Sequence, residues 1–151
     1  MQLCLFGSPK IEKNGKPLKL DTRKAIAILA YLVVTGKVQS RDTLATLLWS
    51  ESEQIKARAA LRRTLSTLKK GLGEGVLDIT RETVSLSPKA VLSVDVLEFT
   101  DLTHTQDLTP LEKAVQLYRD DFLAGFGLRD SPGFDDWQFF QTEYYKQQLA
   151  K

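Results

Sequence analysis

The chain has 151 residues, 42% of them hydrophobic, enough for one medium domain or two small ones with a true core. It holds no apolar run of the ~18 residues a membrane helix requires, and its single cysteine, Cys4, and single histidine, His104, exclude an internal disulfide and a Cys/His zinc site. The net charge of +2 hides an asymmetry: residues 1–92 carry 16 Lys+Arg against 8 Asp+Glu, and residues 93–151 carry 5 against 11. A basic half suits a polyanion and an acidic half is repelled by one, so two modules are expected.

In chain order, Leu3 to Phe6, Ile11 and Leu18 to Leu20 read as the arms of a small antiparallel sheet, with Asn14-Gly15 as the φ > 0 pair of a type I′ turn. Asp21 or Thr22 caps a helix running to about Thr35, with Ile26, Leu29, Ala30, Leu32 and Val33 on its apolar side and Gly36 ending it. Ser40 caps a short second helix whose stripe is Leu44, Leu47 and Leu48, closed by Trp49. A third helix spans about Gln54 to Lys70 and stops at the glycines Gly71, Gly73 and Gly75. Two β-like runs, 76–79 and 83–86, then flank a charged connection at Arg81-Glu82, ending near Pro88 where the charge sign changes.

Beyond that point Asp95 with Glu98, and Thr109-Pro110 with Glu112, have the spacing of capping boxes. The second of these helices is expected to carry Leu111, Ala114, Val115, Tyr118, Phe122 and Leu123. Asp130 or Ser131, with Pro132, opens a last helix rich in aromatics: Phe134, Trp137, Phe139, Phe140, Tyr144 and Tyr145. Its apolar face is too large for so short a segment, which predicts a truncated domain or an absent docking partner.

The chemistry concentrates on the third helix. At 100° per residue with Leu61 at zero, Ala57, Leu61, Thr64, Leu65, Leu68 and Leu72 fall within about 60° of the core direction. Opposite lie Lys56, Ala59, Arg63, Ser66, Thr67 and Lys70, with Arg62 and Lys69 on a shoulder and Arg58 nearer the core edge. From Glu53 to Leu72 there are six cations and one anion, so the helix has little internal ion pairing and favours an external anion. Short side chains among the cations let a helix approach base edges in a major groove. Arg63, Ser66 and Thr67 are the expected base-reading row, and Lys56, Arg62, Lys69 and Lys70 the phosphate-holding set. Arg81 at the hairpin tip, Arg41 opening the second helix and Thr22 and Arg23 opening the first are further candidate phosphate contacts. Each also has the plain reading of a solvated surface group.

Catalytic readings fail. No phosphate-binding loop is present, and Gly71, Gly73 and Gly75 follow a helix, not a strand. Asp120-Asp121 and Asp135-Asp136 are sequence neighbours, which on a helix point about 100° apart, poor geometry for acid–base work. His104 reads as an exposed helix end and Cys4 as a packed strand residue. The expectation is a cytoplasmic protein that is not an enzyme, with no cofactor and no metal.

With these residues placed, the sequence resembles the actinobacterial-type antibiotic regulatory protein (SARP/AfsR-type) family of transcriptional activators. The resemblance rests on LDTRKAIAILAYLVV (20–34), SRDTLATLLWSES (40–52), ARAALRRTLSTLKKGLG (57–73), VDVLEF (94–99), YRDDFLAGF (118–126) and DSPGFDDW (130–137). It implies an α+β chain: an OmpR-type winged helix-turn-helix with its N-terminal antiparallel sheet over residues 1–90. The first α-helices of a tetratricopeptide-like bacterial transcriptional activator domain, truncated here, would follow over residues 94–151. Arg58, Arg62 and Ser66 match the family's helix pattern. Lys69 and Lys70 stand where it carries arginines, and lysine lacks the bidentate fork for guanine, so phosphate contact is expected there. The implied partners are double-stranded DNA, as direct repeats, and RNA polymerase, touched by the loop Trp49–Glu53, with self-association on DNA. Because Met1 leads directly into the sheet, no receiver domain is expected ahead of it. The rival reading is a helical interaction scaffold whose winged helix docks protein.

Overall fold

The computed structural model describes residues 1–20, 22–104 and 108–150, with the side chains of residues 108–111 outside that description. Strands β1 (Gln2–Cys4), β2 (Lys10–Lys13) and β3 (Lys16–Leu18) lead into α1 (Arg23–Thr35). Then come β4 (Gln39–Ser40), α2 (Arg41–Leu48), α3 (Gln54–Leu72), β5 (Leu77–Ile79) and β6 (Thr83–Leu86). The chain continues through β7 (Ser93–Val94), α4 (Asp95–Thr103), α5 (Leu108–Leu117) and α6 (Pro132–Leu149). The result is a mixed α+β fold with an N-terminal sheet and several helices. Among the described residues no helix is long and apolar enough to cross a membrane.

Two compact units are present: Met1–Leu18 with Leu92–Gly127 and Asp136–Lys151, and Lys19–Val91 with Leu128–Asp135. The grouping differs from the expected partition at residue 90, because β1–β3 associate with the later segments. In that first unit the strand order is β3-β2-β1-β7. Asn14 (φ 55°) and Gly15 (φ 77°) supply the left-handed turn joining β2 to β3. The sheet is not wholly antiparallel: β7 pairs in parallel with β1, Leu3 opposite Val94.

Asp95 fixes this junction. Its carboxylate accepts N–H bonds from Leu5 (2.8 Å), Phe6 (3.0 Å) and Val96 (2.8 Å). Burial pushes its carboxyl above the usual carboxylate range, while those three N–H groups act the other way. The expected Asp95 capping box is not formed, since the N-cap position is Val94 and Asp95 is committed to β1. Phe6 packs edge-on against Phe99 (5.1 Å between centroids) and Tyr145 (5.3 Å), and Phe122 lies 5.4 Å from Tyr145. Helix α5 ends at Leu117, short of Phe122 and Leu123, which were expected on it. Both are buried in the following segment, where Leu123 takes φ 52° and donates its N–H to the Leu5 carbonyl at 2.8 Å. Of the α6 aromatics, Phe134 and Tyr145 are buried while Phe139 and Phe140 are 61% and 68% exposed. The side chains of the expected Thr109-Pro110 cap, together with the cap alternative Asp21 and the terminal Lys151, lie outside that description.

In the second unit Thr22 caps α1, its Oγ1 accepting from the Ala25 N–H at 3.2 Å, and Gly36 closes it at φ 64°. Ser40 caps α2, accepting from the Thr43 N–H at 2.9 Å. Helix α3 runs one turn-fraction further than expected, through Gly71 to Leu72. A Cβ on Gly71 would come within 2.8 Å of Leu20 Cδ2, so this glycine permits close packing inside the helix and does not end it. A three-stranded sheet in the order β4-β6-β5 completes the unit. The two-residue β4 has no sequence signal of its own. Buried Ser131 donates to the Leu48 carbonyl at 2.6 Å and Lys24 pairs with Asp130 at 2.9 Å, tying residues 128–135 to the helices.

Replacing Asp95 by alanine leaves the Leu5 and Phe6 N–H groups without their acceptor. Urea unfolding is expected to show a loss of about 1–3 kcal/mol; unchanged stability would mean these donors find other partners.

Candidate nucleic-acid interface

Helix α3 buries Ala57, Leu61, Thr64, Leu65, Leu68 and Leu72, the full row that the helical period assigns to the core. Thr64 is accommodated there because its hydroxyl donates to the Ala60 carbonyl at 2.9 Å. With that row inside, Lys56, Arg58, Arg62, Arg63, Ser66, Lys69 and Lys70 are exposed and Thr67 is half-buried. Lys56, Arg62, Arg63, Lys69 and Lys70, five of the helix's cations, make no salt bridge among the described residues.

Arg58 differs. Its guanidinium meets Asp42 of α2, Nη2 at 2.9 Å and Nε at 3.1 Å from one carboxylate oxygen. Both side chains are more than half exposed, so the pair contributes little to stability; it orients Arg58. The sequence placed Arg58 near the core edge without a partner, because the Asp42 contact comes from another helix.

An open groove of about 750 Å³ lies between the start of α2, the first half of α3 and the β5–β6 turn. Arg41, Arg58, Arg62 and Arg81 line it together with Asp42, Glu82, Ile55 and Ala59. Arg41 fastens the turn to α2: its backbone N–H donates to the Glu82 carbonyl at 2.8 Å and its Nε to the Thr80 carbonyl at 2.9 Å. The turn is braced internally by Thr80, whose Oγ1 accepts N–H bonds from Glu82 (3.2 Å) and Thr83 (2.9 Å). Arg81 makes no ion pair among the described residues.

Ser66, Lys69 and Lys70 line a second, shallower hollow with Gly73 and Glu74 at the other end of α3. Thus the structure brings Arg41, Arg58, Arg62 and Arg81 together at one end and Ser66, Lys69 and Lys70 at the other. Lys56, Arg63 and Thr67 line neither hollow, and Thr22 and Arg23, at the start of α1, do not line the groove. Sequence reasoning missed Asp42, Thr80 and Ile55. The first two act through contacts between elements; Ile55, at about 120° from Leu61 on the same wheel, was legible as an outward residue. Among the described residues no group of three His, Cys, Asp or Glu side chains is placed to hold a metal.

The structure of Mycobacterium tuberculosis EmbR, solved in complex with a low affinity phosphopeptide, matches 97% of this chain at a TM-score of 0.74 and 25% identity. EmbR is a SARP-family transcriptional regulator. The chain has the SARP/AfsR-type fold. It spans 43% of the EmbR chain. No protein-family model and no curated protein matches this sequence.

Arg41→Ala removes the side-chain tether of the β5–β6 turn but keeps the backbone bond. Amide hydrogen exchange at 80–83 is expected to accelerate several-fold with global stability lowered by no more than about 1 kcal/mol. Unchanged exchange would mean Arg41 does not hold the turn.

Proposed function

We propose that this chain is a sequence-specific DNA-binding transcriptional activator, acting by binding and not by catalysis. In this reading α1, α2, α3 and the β5–β6 hairpin form a winged helix-turn-helix. The third helix enters the major groove, and Arg81 at the hairpin turn meets the backbone or minor groove. The supporting observation is the outward face of α3, where five cations have no ion pair among the described residues. Exposed surface cations that gain nothing from their own fold are suited to release counterions from a phosphate backbone. The likeness to EmbR supports the same class of function.

Within that role, Arg63 and Ser66 read bases, with Thr67 at the edge of the contact because it is half-buried. Lys56, Arg62, Lys69 and Lys70 hold phosphates, as do Arg41, Thr22 and Arg23 at helix starts. Arg58 reaches DNA from the position set by Asp42. Direct repeats as target, self-association on DNA and recruitment of RNA polymerase through Trp49–Glu53 complete the proposal. The helices from Asp95 onward form the start of a tetratricopeptide-like activator domain.

If about six phosphates are neutralised, log K falls against log[salt] with a slope of roughly −5. A slope near zero would instead favour a protein-docking role. Arg63→Ala is expected to weaken binding to the selected site by about 1–3 kcal/mol and to relax preference at one base pair, as read by a binding-site selection. Unchanged affinity and preference would remove Arg63 from the base-reading row.

A further inference from the structure

Ile55 is 82% exposed on the second residue of α3, although every other outward position of that helix is small, polar or cationic. Among the residues that line its groove, only Ala59 and the buried Leu61 are also apolar. Its companion on the same face is Ala59, one turn on, and the groove they line is otherwise edged by Ser40, Leu61, four arginines and two acids. Ile55, Ala59, Arg62 and Ser66 follow the i, i+4, i+7, i+11 spacing of a single straight stripe along the helix.

One isoleucine and one alanine are far too small an area to seat a protein partner, whose stable interfaces bury on the order of 800 Å² per side. The ring of cations around them favours an anionic ligand that also offers a small apolar group. Duplex DNA supplies both: phosphates for the arginines and, in the major groove, the C5-methyl of thymine. The first turn of a groove-inserted helix is also the part that approaches base edges most closely.

We propose that Ile55, backed by Ala59, contacts the C5-methyl group of a thymine, so that the N-terminal turn of α3 selects an A·T pair beside the bases read by Arg63 and Ser66. The inference rests on the DNA-binding reading above and names one base that the site recognises. Asp42 contributes indirectly, by orienting Arg58, which lines the same groove as Ile55 and Ala59.

The test uses the full chain and a duplex obtained by selection from a random pool. Each thymine is replaced in turn by deoxyuridine, which removes only the methyl. One position per half-site is expected to lose affinity roughly three- to five-fold, the effect of deleting one buried methyl from an apolar contact. Ile55→Ala, at an exposed helical position where alanine is well tolerated, should weaken binding to the thymine duplex and become indifferent to that replacement. Its salt slope should match the parent's, because no charge is removed. Indifference of the parent chain to every thymine replacement overturns the inference alone, as does retention of the sensitivity by Ile55→Ala. Failure of the pool to yield any bound duplex would overturn the DNA-binding reading itself.

Discussion

Ala57, Leu61, Thr64, Leu65, Leu68 and Leu72 are all buried along one side of α3, and that row fixes the azimuth of the helix. Turning it by a single residue, about 100°, would carry Arg58 and Arg62 toward the core and expose leucines. Burying an unpaired cation costs several kcal/mol, and each leucine removed from the core forfeits roughly 1.5–3 kcal/mol. The helix therefore has one orientation, and the direction of every outward side chain follows from it. The exposed cations, the groove beside α2 and the position of Ile55 are consequences of that packing.

Helix α2 and the β5–β6 turn determine what the outward face can meet. Arg41 holds the turn through one backbone and one side-chain bond, so Arg81 is presented next to the first half of α3. Asp42 orients Arg58 and lowers the charge of the groove where Ile55 and Ala59 lie. The two ends of the helix thus differ: an ordered, partly neutralised groove at its start and a lysine-rich, open surface at its finish. The first arrangement suits discrimination, the second suits non-specific attraction to phosphate.

Sequence alone exposes those features that depend on local rules. The leucine period gives α3 and its buried row, Thr22, Ser40 and Gly36 give helix ends, and Asn14-Gly15 gives a turn. What stays hidden depends on partners distant in the chain. Strands β4 and β7 are two residues each and exist only because β6 and β1 stand beside them. Asp95 looks like a helix cap by spacing, yet the Leu5 and Phe6 N–H groups take its carboxylate. Gly71 reads as a terminator but serves the approach of Leu20, and Phe122 and Leu123 continue an apolar pattern after the helix has ended. The candidate site shows the same division. Its cations were legible from the helical wheel, whereas the Arg58–Asp42 pair and the Arg41 tether need the tertiary contacts.

The most direct measurement is an amide NMR titration of the chain with a short duplex of arbitrary sequence at low salt. Perturbations are predicted to concentrate in residues 55–70 and 80–83 and to recede as salt is added. Perturbations confined to the exposed aromatic stretch of α6 around Phe139 and Phe140, or none at any salt concentration, would contradict the assignment of the outward face of α3 to DNA.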